Sequence, residues 1–592
     1  MNLFIKYLKN YKKECVLAPL FKMLEASFEL FIPLVIASII DKGIGQAPYG
    51  NADKSHIYRM CLVLFILALV GLAFSITAQY FSAKAATGFS KNLRDALFTH
   101  LQSLTFAEYD KIGTSTMITR MTSDINQAQN GVNMTLRLFL RSPFVVFGAM
   151  IMAFTINTEC ALYFVLAIVL LSIVVFGIMK INIPLMKAVQ TRLDEVMQTT
   201  RENLTGVRVL RAFCKEEEEI ERFRTRNQAL SRQQKTAGSI SALTDPFTYI
   251  IINACIILLI YTGAVKVNIG ILTKGQVVAL YNYMSQILVE LIKLANFIVT
   301  TNKALASATR IEAVFAIKPG FVAPKCYNDN VPLYRSGECN KGTLSLYHKV
   351  AFNHVNLRYE TGGDEALTDI NFTVEEGQII GIIGGTGCGK TSLVHLLMRF
   401  YEATSGEVTI DGKNVKDYTK EELHKKVAIV MQKAVLFKGT IEENLRWGKK
   451  DATKEEMEKA IETAQAKDIV EAKGGLSAEV TQAGKNFSGG QKQRLTIARA
   501  LVSQPEILIL DDSASALDAK TDANLRKAIR ELPNHPTVFI VSQRTNAIQD
   551  ADKILVLDDG RIVGQGSHDE LLKTCEIYKE IYESQYKKEG GR

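Results

Sequence analysis

The sequence predicts a chain in two parts: an N-terminal all-α membrane domain of six helices with long cytoplasmic helical extensions, then a C-terminal α/β domain around a phosphate-binding loop. Three observations predict it. Apolar runs near the ~20 residues needed to cross ~30 Å of hydrocarbon recur as far as Val299. From about Val350, short β-rich runs alternate with helix-like runs, the pattern of α/β layers. Gly384 to Thr391 reads G-x-x-x-x-G-K-T, between an apolar run, Gln378–Ile383, and a helix-like run, Ser392–Phe400.

Composition agrees. A chain of 592 residues exceeds one ordinary core. Hydrophobic residues at 47% beside 22% charge fit a very apolar part joined to a charged one. The net charge of +9 fits the cytoplasmic Lys and Arg excess of membrane proteins. No basic stripe with interleaved aromatics is present, so no nucleic-acid partner is expected. The nine cysteines are scattered, with neither metal-ligand spacing nor a disulfide framework, and no bridge is expected between Cys326 and Cys339. No cleavable signal peptide is visible.

In chain order, Met1–Lys13 alternates Leu, Phe, Ile and Tyr with Lys at helical spacing. It reads as a basic amphipathic helix on the inner membrane surface, or as a plain helix start. Spans are expected at Cys15–Ile40, Ile57–Phe81, Leu138–Ile156, Ala161–Ile181, Phe247–Val267 and Gly275–Val299. The links after the second and fourth spans are long, charged and helix-periodic. Lys84, Lys91, Arg94, Arg192 and Arg201 place them in the cytoplasm. At ~1.5 Å per residue such helices project tens of Å from a bilayer. Each link breaks in its middle, around Gly113–Asp124 and Glu202–Phe213, where a short tip helix with apolar residues is expected.

Polar residues inside spans face a cavity or a partner. Glu25 and Glu29 lie one turn apart on the first span, as do Arg137 and Arg141 at the start of the third. Asn282, Gln286, Glu290 and Lys293 share one face of the last. Two readings stand side by side: a polar lining to a substrate path, foremost for Gln286 and Glu290, or interhelical pairing and snorkelling.

Apolarity ends near Arg310, and Pro319–Leu346 reads as a linker, giving domains over 1–318 and 347–592. In the phosphate loop, Gly384, Gly385, Gly387 and Gly389 let backbone N–H groups turn inward around Thr386 and Cys388. Lys390 reaches the β- and γ-phosphates, and Thr391 offers a hydroxyl to Mg²⁺. Ser392 opens the helix whose positive end adds to the anion site. Tyr359, before a Gly-Gly turn, can stack on adenine. Gln432 ends a strand near the metal and its water. Ser488, Gly489, Gly490 and Gln491 open a helix whose N-terminus is a second phosphate-binding device. Asp511 ends the buried-strand run Ile507–Leu510 and suits Mg²⁺. Cys388, beside Lys390, is open to thiol modification, or is a tolerated small residue.

Taken in order, the aromatic, the phosphate loop, the glutamine, Ser488-Gly489-Gly490-Gln491, the strand ending at Asp511 and Ser515-Ala516-Leu517-Asp518 resemble the ATP-binding-cassette nucleotide-binding domain. With six spans ahead of it, the whole chain resembles a half-transporter of the type IV ABC exporters. The resemblance implies that Tyr359 stacks on adenine, Gly384–Thr391 is the Walker A loop, Gln432 the Q-loop residue, Asp511 the Walker B aspartate and Asp518 part of the D-loop. Phe487 stands where the signature usually has Leu, and the tip segments stand where the family has coupling helices. Two such domains would sandwich two ATP molecules, each between one chain's Walker motifs and the other's signature.

Two positions depart from the family. Asp512 stands where the family's general base is Glu, and Gln543 where the switch residue is His. Asp is shorter by one bond of roughly 1.5 Å, while a general base must reach its water within about 2.6–3.2 Å. Gln can bond a γ-phosphate but carries no proton or charge. The resemblance thus implies a degenerate ATP site on this chain, completed by a different partner chain, in an ATP-driven exporter of drugs, lipids or peptides. The alternatives are a slow homodimeric exporter and a non-transporting regulatory membrane ATPase; an importer is disfavoured. A bacterial plasma membrane is the expected location.

Overall fold

The structure is a computed structural model that describes residues 2–44, 53–320, 348–359, 362–513 and 515–586. The linker expected at 319–346 lies outside the described residues from 321 onward, as do Cys326 and Cys339.

Each expected span folds as part of a helix: α1 (Asn2–Leu8), α2 (Lys12–Ser38), α3 (Lys54–Ser103), α4 (Phe106–Ile112), α5 (Thr114–Thr119), α6 (Ile125–Leu138), α7 (Arg141–Ile156), α8 (Thr158–Thr205), α9 (Val207–Ala212), α10 (Glu216–Ala242), α11 (Thr244–Asn268) and α12 (Lys274–Phe315). Among the described residues, 6 helical stretches are long and apolar enough to cross a membrane, and they contain all the expected spans. The 50 residues of α3 give ~75 Å of helix at 1.5 Å per residue, well beyond a ~30 Å hydrocarbon core.

The chain divides into two compact units. One holds Met1–Gln102 with Ser115–Ala316; the other holds Ser103–Thr114 with Ile317–Arg592. The expected boundary at 318 therefore misses one excursion: α4 belongs with the C-terminal unit. Short helices flank Gly113 on both sides: α4 before it and α5 within the expected 113–124. Thr105 caps α4 reciprocally with Glu108, and Gly113, at φ 78°, ends it. Its positive φ, a backbone glycine adopts freely, ends the helix there, and residues 114–124 continue into the next helix. The short helix α9 lies within 202–213.

The first unit packs closely. The hydroxyl of the fully buried Tyr283 donates to the carbonyl of Leu30 at 2.6 Å. A Cβ on Gly131 would stand 2.2 Å from that of Ala304, so glycine lets α6 and α12 touch. Arg120–Asp124, just before α6, is a π-helical turn. It carries the buried Asp124, whose carboxylate takes ion pairs from Arg120 and Arg310.

The second unit contains β1 (Val350–Arg358), β2 (Glu365–Val374), β3 (Ile379–Gly384), β4 (Ser405–Ile410), β5 (Lys413–Asn414), β6 (Val427–Val430), β7 (Gly439–Thr440), β8 (Glu479–Val480), β9 (Ile507–Asp511), β10 (Thr537–Val541), β11 (Lys553–Asp558) and β12 (Arg561–Gly566). Its main sheet runs β12-β11-β3-β10-β9-β6, parallel except for β12. An antiparallel sheet, β2-β1-β4-β5, lies beside it in the same unit. β3, β9 and β10 are buried along their whole length, which explains their unbroken apolar runs. Ile380, Ile382, Ile507, Ile509 and Phe539 enter one core, and Ile383, Leu508, Leu510, Val538 and Ile540 the other, the alternation of a pleated strand. The helices are α13 (Lys390–Leu397), α14 (Lys420–Lys426), α15 (Ile441–Leu445), α16 (Lys454–Thr463), α17 (Lys467–Lys473), α18 (Gly489–Leu501), α19 (Ala519–Arg530), α20 (His568–Thr574) and α21 (Glu576–Tyr586). Lys349 and Lys426 each pair with both Asp411 and Glu506, forming a closed square of charge.

Candidate functional site

The site gathers where parallel strands end. β3 runs into the glycine loop, and α13 begins at Lys390. Gly387 and Gly389 have φ of 85° and 96°, and a Cβ at Gly389 would meet the carbonyl oxygen of Ala366 at 2.7 Å. Only glycine fits there without strain. Lys390 folds over its own loop, donating to the carbonyls of Gly384 at 2.8 Å and Gly385 at 2.6 Å. Its Nζ lies 3.6 Å from the buried Sγ of Cys388.

β9 brings Asp511 to the same place: the Thr391 hydroxyl donates to its Oδ1 at 3.2 Å. Asp511 is only 2% exposed. Burial pushes its carboxyl above the usual range, and the charge of Asp512 adds to this against the Thr391 bond and Lys390. A buried carboxylate short of positive charge, beside a hydroxyl, is a donor set that fits a divalent cation.

Asp512 follows in a left-handed conformation, φ 45°, which Asp tolerates better than most residues. The Gln432 amide donates to its Oδ2 at 3.2 Å. The Gln432–Asp512 pair thus joins two residues expected to serve one water. Gln543 lies just beyond β10, exposed, after the buried Ser542.

Tyr359 is half-buried; its hydroxyl donates to Ser392 Oγ at 2.7 Å, and its ring meets the edge of Tyr401 at 4.9 Å. Tyr401 bonds Asp110 of α4, and Phe106 of α4 packs 4.4 Å from Phe400. Sequence reasoning missed Asp110, Phe400 and Tyr401. The legible signal was the Thr105-x-x-Glu108 capping box that starts α4.

The signature segment opens a helix. Ser488 and Gln491 form a capping box at the start of α18, so Gln491 serves the helix end, and Gly489 and Gly490 carry the open backbone. Asp518 likewise caps α19, accepting from the N–H and hydroxyl of Thr521. Among the described residues, no hydrogen bond joins Ser488–Gln491 to Gly384–Thr391.

In the first unit, Glu290 is 3% exposed and held by Arg141 at 2.7 Å, Ser142 at 2.8 Å and Lys293 at 2.8 Å. Arg141 also pairs with Glu29 at 2.8 Å. The geometry gives Glu290 the interhelical pairing role, because a buried carboxylate needs those cations. Asn282 and Gln286 are partly exposed.

Comparison with known proteins agrees with this geometry. Residues 15–291 match the family described as ABC transporter transmembrane region, and residues 367–515 match the ABC transporter family. The uncharacterised ABC transporter ATP-binding protein YfiB of Bacillus subtilis is 33% identical over 100% of both chains. The ATP-dependent lipid A-core flippase of Desulfotalea psychrophila is 30% identical over 94% of this chain and 96% of its own. A bacterial Atm1-family ABC exporter solved with ATP bound has the same fold, with a TM-score of 0.79 at 23% identity, covering 97% of this chain and 98% of that one. The chain belongs to the ABC transporter family. It is a half-transporter of the exporter type, joining a membrane domain and a transport ATPase domain in one chain.

Proposed function

We propose that this chain exports an amphipathic substrate (a lipid, drug or peptide) as one half of a heterodimer, and that its own Walker site holds ATP but hydrolyses it slowly. The observation that carries this is Asp512: the shorter acid stands at the base position and is already engaged by Gln432. Gln543 adds to it, since an amide cannot take up the charge a switch histidine carries. The flippase named above supports the lipid branch of the substrate class.

Mg²⁺ would be held through Thr391 and Asp511, neutralising charge on the phosphates. Lys390 exchanges its loop carbonyls for phosphate oxygens, Tyr359 stacks on adenine, and Gly489 and Gly490 offer N–H groups to ATP held by the partner's Walker motifs. Two ATP molecules close the nucleotide-binding domains, and the tip helices carry that closure to the spans. A bacterial plasma membrane with a cytoplasmic ATPase domain fits the bacterial relatives and the Lys and Arg of the long helices.

The test is ATP hydrolysis by this chain purified alone in lipid. Near-background turnover, rescued by a second half-transporter carrying Glu and His at the two positions, is the expected result. Vigorous turnover alone would replace this reading with a homodimeric exporter.

A further inference from the structure

The C-terminal helix α21 ends on the switch loop. Three hydrogen bonds from one side chain hold the loop: the Gln585 amide oxygen accepts from Thr545 N–H at 2.9 Å and from the Thr545 hydroxyl at 3.0 Å, and its NH₂ donates to the Gln543 carbonyl at 2.8 Å. A primary amide presents an acceptor and donors side by side, so it mates with backbone on both sides of Arg544. Thr545 is fully buried, and Arg544 N–H donates to Ser542 Oγ at 2.9 Å. The backbone from 542 to 545 is therefore held at both ends, while the Gln543 side chain stays exposed.

The helix that supplies this clamp is itself anchored. Tyr578 is fully buried and bonds His568 Nδ1 at 2.7 Å, and Ile577 and Ile581 pack against the core. Gln585 lies on the turn beyond Ile581. We infer that Gln585 is a positioning residue for Gln543: it fixes the carbonyl from which that side chain reaches the γ-phosphate, making the C-terminal helix part of the nucleotide site. This rests on the reading of Gln543 as the switch residue.

A residue aimed at the γ-phosphate separates ATP from ADP. The experiment measures the dissociation constants of Mg-ATP and Mg-ADP for the full-length chain in lipid nanodiscs, in wild type, Gln543→Ala, Gln585→Ala and the double variant. Amide exchange at Thr545 and the melting temperature are followed alongside. Gln543→Ala is expected to reduce the preference for ATP threefold or more, Gln585→Ala to reproduce most of that loss, and the double variant to lose no more than Gln543→Ala. Thr545 exchange should rise in Gln585→Ala with its melting temperature kept. Gln585→Glu, which keeps an acceptor but cannot donate to the Gln543 carbonyl, should resemble Gln585→Ala. An unchanged ATP preference in Gln585→Ala, with Gln543→Ala impaired, overturns the inference alone. Losses that multiply in the double variant also overturn it, by placing Gln585's effect elsewhere. A silent Gln543→Ala overturns the switch reading and the inference with it.

Discussion

The Tyr401 hydroxyl donates a 2.5 Å hydrogen bond to Oδ2 of Asp110, fastening α4 to the ring that meets Tyr359 edge-on. Burial first, then the Asp110 bond and charge, pushes the Tyr401 phenol well above its usual range, so it remains a donor at any physiological pH. Tyr401→Phe keeps the ring and removes the bond. A bond to a charged group at this partly exposed place is worth about 1 kcal/mol, roughly a fivefold change in local opening. Amide exchange across Phe106–Ile112 should rise by about that factor, and Asp110→Asn, which still accepts, should keep most of the protection. Unchanged exchange in Tyr401→Phe would shift the fastening to the Phe106–Phe400 contact and the other contacts of α4.

Asp512→Glu together with Gln543→His should raise hydrolysis at this chain's Walker site. General-base catalysis typically supplies ~10²–10⁴-fold, and the gain should lie toward the lower end, since Glu tolerates the left-handed backbone at 512 less well than Asp. Turnover counted per Walker site is the measurement. A double variant no faster than wild type would remove the chemical explanation of the proposed slow site.

The charge square predicts a pH dependence. Burial opposes it, but bonds to Lys349 and Lys426 hold the Glu506 carboxyl below its ordinary value of 4.5, and those from Lys426 and Lys349 hold Asp411 below 3.8. A carboxyl lowered on folding adds stability above its unfolded value and loses it as pH falls through the folded one. Lys426 is raised by the same bonds against burial, so its share is lost only in strong alkali. Glu506→Gln should therefore lower the melting temperature of the nucleotide-binding domain by about 1–3 °C at pH 7. The gap should close as the pH falls below 4.5 through the folded value; a gap that persists in acid would mean the loss is one of packing.

Arg141 holds the buried Glu290 and the partly exposed Glu29. Arg141→Ala leaves the buried Glu290 with Ser142 and a single cation, Lys293, and should destabilise the membrane domain by about 1.5–3 kcal/mol, whereas Arg141→Met with Glu290→Leu should recover much of that. Thermal unfolding in detergent distinguishes the two. Equal losses would mean that the pair holds the helices in register and is more than a neutralised charge.

The chain itself announced what depends on contiguous residues. Apolar runs marked all six spans, and glycine spacing with its strand and helix marked the phosphate loop. Partners remote in sequence stayed hidden: Glu290 looked like a path residue because Arg141 stands 149 positions away, and Gln585 meets Thr545 across 40. Gly113 opens the first expected tip segment, and in the structure it ends α4, as glycine after a helical turn commonly does; α4 itself left only its capping box in the sequence. Gln491 and Asp518 fit their helix caps as well as the nucleotide roles expected of them, and sequence alone cannot divide one side chain between two duties.

The wide turn at Arg120–Asp124 makes this stretch sensitive to length. A π turn takes up one residue more than an α turn, so deleting a single residue there would allow an ordinary α turn and keep Gly131 facing Ala304. Inserting a further residue, with no turn left to absorb it, would rotate everything on one side by about 100°. Natural variants of the chain should therefore lose a residue here more readily than gain one.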